Sequence, residues 1–86
     1  MGILEKNVIP GNHGKTFGTN AKEDADLSQI KNSISEIDGI VDVILNTSIF
    51  PREFTVHTSK MVAIDEIENK VKKVGFHAIP KATFTL

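Results

Sequence analysis

Residues 24–39 read DADLSQIKNSISEIDG, and this stretch decides the fold because its pattern returns later in the chain. Its large apolar residues are spaced three, four and three positions apart: Leu27, Ile30, Ile34 and Ile37. That spacing places them on one face of an α-helix and predicts a helix over residues 26–37. Asp24 and Asp26 lead the stripe and Gly39 follows it, as the helix dipole and C-terminal capping favour.

Residues 63–76, AIDEIENKVKKVGF, repeat the pattern and predict a second helix over residues 63–74. The members of this second stripe each lie 37 positions after their counterparts: Ile64, Ile67, Val71 and Val74. The stripe ends beside Gly75, and the same offset relates Phe17 to Phe54 in two segments where alternate residues should face the core. The chain is therefore predicted to contain one strand–helix–strand unit twice.

Four strands are predicted around these helices: residues 15–20, 41–47, 53–58 and 76–84. Pro51 is expected to turn the hairpin between the second and third strands. Pro80 indicates that the last strand lies at an edge, because proline cannot donate to a strand ladder. The order βαββαβ predicts an α+β ferredoxin-like sandwich, with an antiparallel sheet in spatial order 4-1-3-2 and both helices on one face. We expect residues 15–86 to form this domain and residues 1–14 to be an N-terminal extension.

A single core is expected between the helices and the sheet. Its predicted members are Leu27, Ile30, Ile34, Ile37, Val43, Leu45, Phe54, Val56, Ile64, Ile67, Val71 and Val74. Burying each large apolar side chain stabilises the fold by about 1.5–3 kcal/mol, which is enough for a small domain.

The composition excludes several classes of protein. A formal charge of −1 over 86 residues provides no basic surface for a nucleic-acid backbone. The absence of cysteine excludes disulfides, thiolate metal sites and a cysteine nucleophile. No stretch reaches the length of a membrane span and the N-terminus lacks a signal-peptide pattern, so we expect a cytoplasmic protein without membrane contact. No nucleophile–base arrangement is visible, and an enzyme is not expected.

Residues 11–18, GNHGKTFG, resemble the end of a phosphate-binding loop, which requires G-x-x-x-x-G-K-[ST]. The first glycine of that pattern would stand at position 9, where the chain has Ile9. We therefore interpret this stretch as a glycine-rich lead into the first predicted strand.

From Leu27 onward the sequence resembles the heavy-metal-associated domain, a copper-chaperone-like family. Residues 37–46, IDGIVDVILN, are similar to the family's first helix end, glycine turn and second strand. Residues 52–78, REFTVHTSKMVAIDEIENKVKKVGFHA, are similar to its third strand, second helix and closing Gly-aromatic-x-Ala segment. The resemblance implies the same ferredoxin-like fold and a role in metal-ion handling.

The resemblance also implies where a metal site would lie. The family carries M-x-C-x-x-C in the loop before its first helix, and counting back from Gly39 places the two cysteine positions on Glu23 and Asp26. Phe76 takes the aromatic position near that loop. Carboxylates are poor ligands for Cu(I), so weak binding of a divalent ion at most is expected, with His13 as a further candidate ligand. Carboxylates at a helix N-terminus are equally expected for capping and dipole reasons alone.

The sheet face away from the helices is the other candidate surface. Strand alternation is expected to place a partly apolar patch there: Ile44, Thr55, His57, His77 and Ile79. The patch could dock a protein partner or a second copy, which makes a metal-free interaction or dimerisation module the alternative function. The apolar residues of the N-terminal segment could instead cover that face or extend the sheet at an edge: Ile3, Leu4, Val8 and Ile9.

Overall fold

The computed structural model of the chain describes residues 8–85, with side chains for residues 8–81. Six strands and two helices follow one another in this part of the chain: β1 (Val8–Ile9), β2 (Gly14–Thr19), α1 (Asp24–Ser35), β3 (Ile40–Asn46), β4 (Glu53–Thr58), β5 (Val62–Ala63), α2 (Ile64–Lys73) and β6 (Ala78–Thr85). Strands β2, β3, β4 and β6 with the two helices form the predicted doubled strand–helix–strand arrangement. The short strands β1 and β5 are additional.

The main sheet has the order β3-β4-β2-β6, and its neighbouring strands all run antiparallel. The predicted order 4-1-3-2 corresponds to β6-β2-β4-β3 and is confirmed. Strand β6, which contains Pro80, lies at an edge as predicted. Strands β1 and β5 form a separate two-stranded sheet that the sequence pattern did not indicate.

Helix α1 begins and ends two residues earlier than predicted, while α2 differs from the prediction by one residue at each end. Gly39 and Gly75 have φ angles of 101° and 95°, which confirms the predicted left-handed conformation at both. Gly75 directly follows Val74, the C-cap of α2, whereas α1 already ends at Ser35 and Gly39 lies in the turn beyond it. At Gly39 a Cβ atom would lie 2.8 Å from Cγ of Lys60, so a larger residue would also have to displace that side chain.

One hydrophobic core joins both helices to one face of the sheet. The buried members are Ile9, Phe17, Ala21, Leu27, Ile30, Ile34, Ile37, Val43, Phe54, Val56, Val62, Ile64, Ile67 and Val71. The prediction was wrong in degree for Leu45 and Val74, which are only partly buried against this cluster because each lies at the end of its element. The predicted list omitted Ile9, Ala21 and Val62, which lie outside the predicted helices and strands, and Phe17, which lies inside the first predicted strand.

The N-terminal strand β1 packs into the core and does not cover the open sheet face. Val8 and Ile9 pair with Ala63 and Val62 directly before α2, and Ile9 is fully buried. For these two residues, the expectation that they cover the open sheet face or add a strand at the edge of the main sheet is wrong. They pair with β5 instead, and this position buries Ile9 in the core. Ile3 and Leu4 lie outside the described residues. The predicted boundary between the N-terminal extension and the domain, after residue 14, stays a prediction. The pairing of β1 with β5 nevertheless begins at Val8, within the predicted extension.

The Gly-Lys-Thr tripeptide lies within β2, not in a loop before a helix. Lys15 is buried, and its Nζ donates to the main-chain carbonyl of Lys81 in the neighbouring strand β6. Because the tripeptide lies in a paired strand, it does not form a phosphate-binding loop. The interpretation of this stretch as a glycine-rich lead into a strand is confirmed.

Candidate functional site

Three connections meet at one end of the sandwich: residues 20–23, 47–52 and 74–77. The main-chain N–H of His77 donates to Oδ1 of Asn20 at 2.8 Å, which ties the last turn to the first loop. The N–H of Thr19 donates to the carbonyl of Arg52 at 3.1 Å, which ties the first loop to the hairpin. The loop that resembles the metal-binding loop of the family is therefore held from both sides.

Residues 20–23 lead from β2 into α1 through one buried residue. Ala21 is buried, and its N–H donates to Oγ1 of Thr19 at 3.3 Å. Glu23 has extended backbone angles at the N-cap, and its carbonyl accepts the N–H of Leu27 at 3.1 Å. The side chain of Glu23 makes no capping hydrogen bond, so its carboxylate is not committed to the helix.

Arg52, the single arginine of the chain, holds the hairpin against this loop. Its Nη1 donates to the carbonyls of Thr47 and Ile49 at 2.7 and 2.9 Å, and its Nε donates to the carbonyl of Lys22 at 3.3 Å. The guanidinium carbon also lies 5.9 Å from the ring centroid of Phe50. A guanidinium suits this role because its planar fork directs several donors at fixed angles. This role of Arg52 was not predicted from the sequence, although its position beside the turn proline was a signal.

The predicted carboxylate ligands lie at the N-terminus of α1. Glu23 and Asp24 are exposed and Asp26 is half-buried in the first turn. Within residues 8–85 no group of three or more His, Asp or Glu side chains is arranged to hold a metal ion. The positive end of the helix dipole also points at this loop and opposes a bound cation. The arrangement can therefore offer a divalent ion two carboxylates and little more.

His13 and Phe76 have different relations to that pair. His13 precedes β2, whose six residues span about 17–20 Å before the loop begins, so His13 lies at the opposite end of the sandwich. There its Nδ1 lies 3.0 Å from the carbonyl oxygen of Gly11. The structure does not bring His13 to Glu23 and Asp26. Phe76 lies in the turn after α2, at the loop's own end of the fold, and packs against the core.

The open sheet face carries exposed apolar side chains at two strands. Ile44 on β3 and Ile79 on β6 are 51% and 66% exposed. Between them Thr16 and Thr55 share a hydrogen bond of 2.9 Å, and Lys81 forms an ion pair of 3.1 Å with Glu53. His57 pairs with Gly14 at the far end of this face, whereas His77 lies in the turn before β6 at the loop end, so the two histidines are not brought together.

A shallow groove of about 330 Å³ lies where this face meets the loop end, and its lining residues are Gly18, Thr19, Asn20, Pro51, Ile79 and Lys81. Two further apolar residues at the hairpin tip, Ile49 and Phe50, are also exposed. Strand alternation predicted Ile79 for this surface. The hairpin tip was not predicted, since residues in turns show no periodicity.

Neither helix in the described part of the chain is long and apolar enough to cross a membrane.

Comparison with known proteins gives fold-level likeness. No family model and no curated protein matches the sequence. Among solved structures, the N-terminal domain of PacS from Synechocystis PCC6803 matches with a TM-score of 0.67 at 16% identity, covering 80% of this chain and 97% of that one. The apo form of the HMA domain of the copper chaperone for superoxide dismutase matches with a TM-score of 0.66 at 17% identity, covering 86% and 72%. The chain has the ferredoxin-like fold of the heavy-metal-associated domain, with carboxylates and no thiols in the loop before its first helix.

Proposed function

We propose that this chain is a small non-enzymatic domain of the heavy-metal-associated type that takes part in metal-ion handling and binds divalent ions weakly at most. The observation that supports this proposal is an intact fold of that type whose loop before α1 contains no cysteine. Glu23 and Asp26 stand in that loop at the positions that the sequence resemblance assigns to the family's cysteines. The two structural neighbours are described as a copper chaperone domain and a PacS domain, and the proposal extends metal handling from them to this chain.

Soft ligands for Cu(I) are missing from the loop end. Cu(I) selects thiolate and thioether sulfur, and the chain has no cysteine and two methionines, Met1 and Met61. Met61 precedes β5 at the end of the sandwich away from the loop, and Met1 lies outside the described residues. We therefore propose that thiolate-type transfer of a monovalent ion is not the activity of this domain.

Hard or borderline divalent ions fit the oxygen donors better, but the donors are few. Glu23 has an uncommitted carboxylate and Asp26 stands three positions later, at the turn spacing that places two side chains on one side of a helix start. A pair of carboxylates with water completing the coordination shell gives low affinity. The proposal therefore places any binding in the millimolar range.

Metal titration followed by ¹⁵N-detected NMR tests this function. We expect Zn(II), Ni(II) or Cu(II) at millimolar concentration to shift the amide resonances of residues 21–27. We expect Cu(I) to bind no more tightly than these divalent ions. The double variant E23Q/D26N should abolish the shifts. The matched control D65N/E66Q removes two acidic residues from the first turn of α2 and should retain them.

Three outcomes would contradict the proposal. Shifts that survive in E23Q/D26N would mean that the metal binds elsewhere, and no shift up to millimolar metal would leave the loop without a metal-binding role. Tight stoichiometric uptake of Cu(I) by the purified chain would contradict the argument from ligand softness.

A second candidate function is a metal-free protein-interaction or dimerisation module, and the exposure of Ile44 and Ile79 on the open sheet face favours it. Apolar residues on an uncovered face stabilise an interface when a partner removes them from water. If two copies pair through this face, amides around both residues should shift on dilution, and the variant I44S/I79S should abolish those shifts. A monomeric mass at all concentrations would exclude the homodimer.

A further inference from the structure

The two edges of the main sheet are protected in different ways. The β6 edge contains Pro80, which has no N–H to offer, and Lys81, which is ion-paired with Glu53. The β3 edge contains neither proline nor lysine over its seven residues, Ile40–Asn46. Within residues 8–85 no strand pairs with the outer side of β3. An edge of this length without proline or lysine is a template for another strand unless something else blocks it.

One contact on β3 serves as protection. Oδ1 of Asp42 accepts the N–H of its neighbour Val43 at 2.8 Å. A carboxylate cannot enter the space between two paired strands, so this N–H must point away from β4, toward the outer edge. The register irregularity between Ile40 and Asp42 lies beside this contact. The side chain of Asp42 thus occupies a donor that an added strand would need.

The sequence of β3 is suited to pairing with itself. In an antiparallel pair of two β3 strands centred on Val43, Val41 lies opposite Leu45 of the second copy, and Asp42 lies opposite Ile44 of that copy. Val41 and Ile44 are 64% and 51% exposed, so pairing would remove apolar surface from water. The same register places the two Asp42 carboxylates on one face as diagonal neighbours about 7–8 Å apart, where their charges repel.

We propose that the outer edge of β3 is a strand-addition surface for a second copy of this chain, and that the Asp42 carboxylate keeps it closed. The carboxylate acts twice, because it occupies the N–H of Val43 and it repels its counterpart in the paired register. This inference does not depend on whether the loop at residues 20–26 binds metal.

Replacement of Asp42 tests the proposal by sedimentation equilibrium over a concentration series. We expect D42V to dimerise at least about tenfold more tightly than the wild-type chain, since each copy regains one donor and loses one charge. D42A removes the carboxylate without adding apolar bulk, and we expect it to shift association in the same direction. In the D42V dimer the Val43 amide should exchange with solvent more slowly than in the monomer.

Three control variants test whether association depends on the contact between Asp42 and the Val43 N–H and on the β3 edge. D42N keeps an acceptor oxygen but loses the charge, so it should dimerise more tightly than the wild type and less tightly than D42V. D65V makes the same charge and size change as D42V on the surface of α2 and should not associate. Adding V41K to D42V places a lysine on the edge and should reverse the dimer. The proposal is overturned if folded D42V and D42A stay monomeric, if D42N associates as strongly as D42V, or if the D42V dimer survives V41K. I79S leaves β3 unchanged and distinguishes the two modes, because it should weaken a dimer formed through the open sheet face and not one formed through the β3 edge.

Discussion

Phe17 and Phe54 stack on each other with ring centroids 5.3 Å apart and ring planes inclined by 11°. They are directly opposite in the β2–β4 pair and stand 37 positions apart, the offset that relates the two apolar helix stripes. The same offset separates Ser33 from Lys70, and Oγ of Ser33 donates to the carbonyl of Lys70 at 3.1 Å across the helix pair. The 37-residue offset therefore relates residues that meet both in the sheet and between the two helices.

The stacked pair should dominate the stability of the core. We expect Phe54→Leu to lower the free energy of unfolding by about 1–1.5 kcal/mol and Phe54→Ala by about 3–5 kcal/mol, because both rings are fully buried. Urea unfolding followed by circular dichroism measures both. Phe50→Ala, at a residue 69% exposed, should change stability by less than about 0.5 kcal/mol. Equal losses at positions 50 and 54 would contradict this packing.

Ile9 should contribute to folding although it lies near the N-terminus. The side chain is fully buried and pairs through β1 with Val62. We expect Ile9→Ala to cost about 2–4 kcal/mol of unfolding free energy, whereas Val41→Ala on the exposed edge should cost less than about 0.5 kcal/mol. If Ile9→Ala is neutral in urea unfolding, residues 8–10 are not part of the cooperative unit.

Arg52 should order the loop that precedes α1. Arg52→Met keeps an aliphatic chain but removes the donors to the carbonyls of Lys22, Thr47 and Ile49. We expect a loss of about 1 kcal/mol, together with lower ¹⁵N order parameters at residues 20–23 and 47–51. Lys22→Met changes a neighbouring charge without removing a donor to this loop and should leave the order parameters unchanged. Unaltered loop dynamics in Arg52→Met would show that main-chain contacts suffice.

Asp38 and Lys60 form an exposed ion pair of 2.8 Å. The hydrogen bond and the positive charge of Lys60 lower the pKa of Asp38 below its ordinary value. We expect Lys60→Met to raise this pKa toward about 3.9, as measured by NMR titration of the Asp38 carboxyl carbon. Lys72→Met, a substitution at an exposed position of α2, should leave the pKa of Asp38 unchanged.

The direction of the pH dependence follows from that shift. Because the folded pKa of Asp38 is depressed, the stability from the pair is present above the unfolded value of about 3.9 and is lost as pH falls through the folded value. The small stability difference between the wild type and Lys60→Met should therefore shrink on acidification and in concentrated salt. A difference that grows at low pH would contradict the assignment.

Helical periodicity predicted most of the fold because it reports burial directly. The two stripes, Gly39, Gly75 and the edge position of Pro80 all follow from local rules of helix phase, left-handed turns and missing donors. The burial of Ile9 could not be predicted in this way. A two-residue strand shows no period, and its partner, Val62, is supplied by a segment 53 positions away.

The sequence by itself determined the doubled βαββαβ sandwich, its strand order and the absence of sulfur from the loop before α1, because these depend on spacing and on residue type. Only the tertiary structure decided which groups meet. It separated His13 from Glu23 and Asp26 by the length of β2, joined Arg52 to the carbonyl of Lys22, and placed Asp42 on an unpaired edge. The physical reason is that such contacts depend on where distant segments are brought together by burial, and no local pattern records that distance.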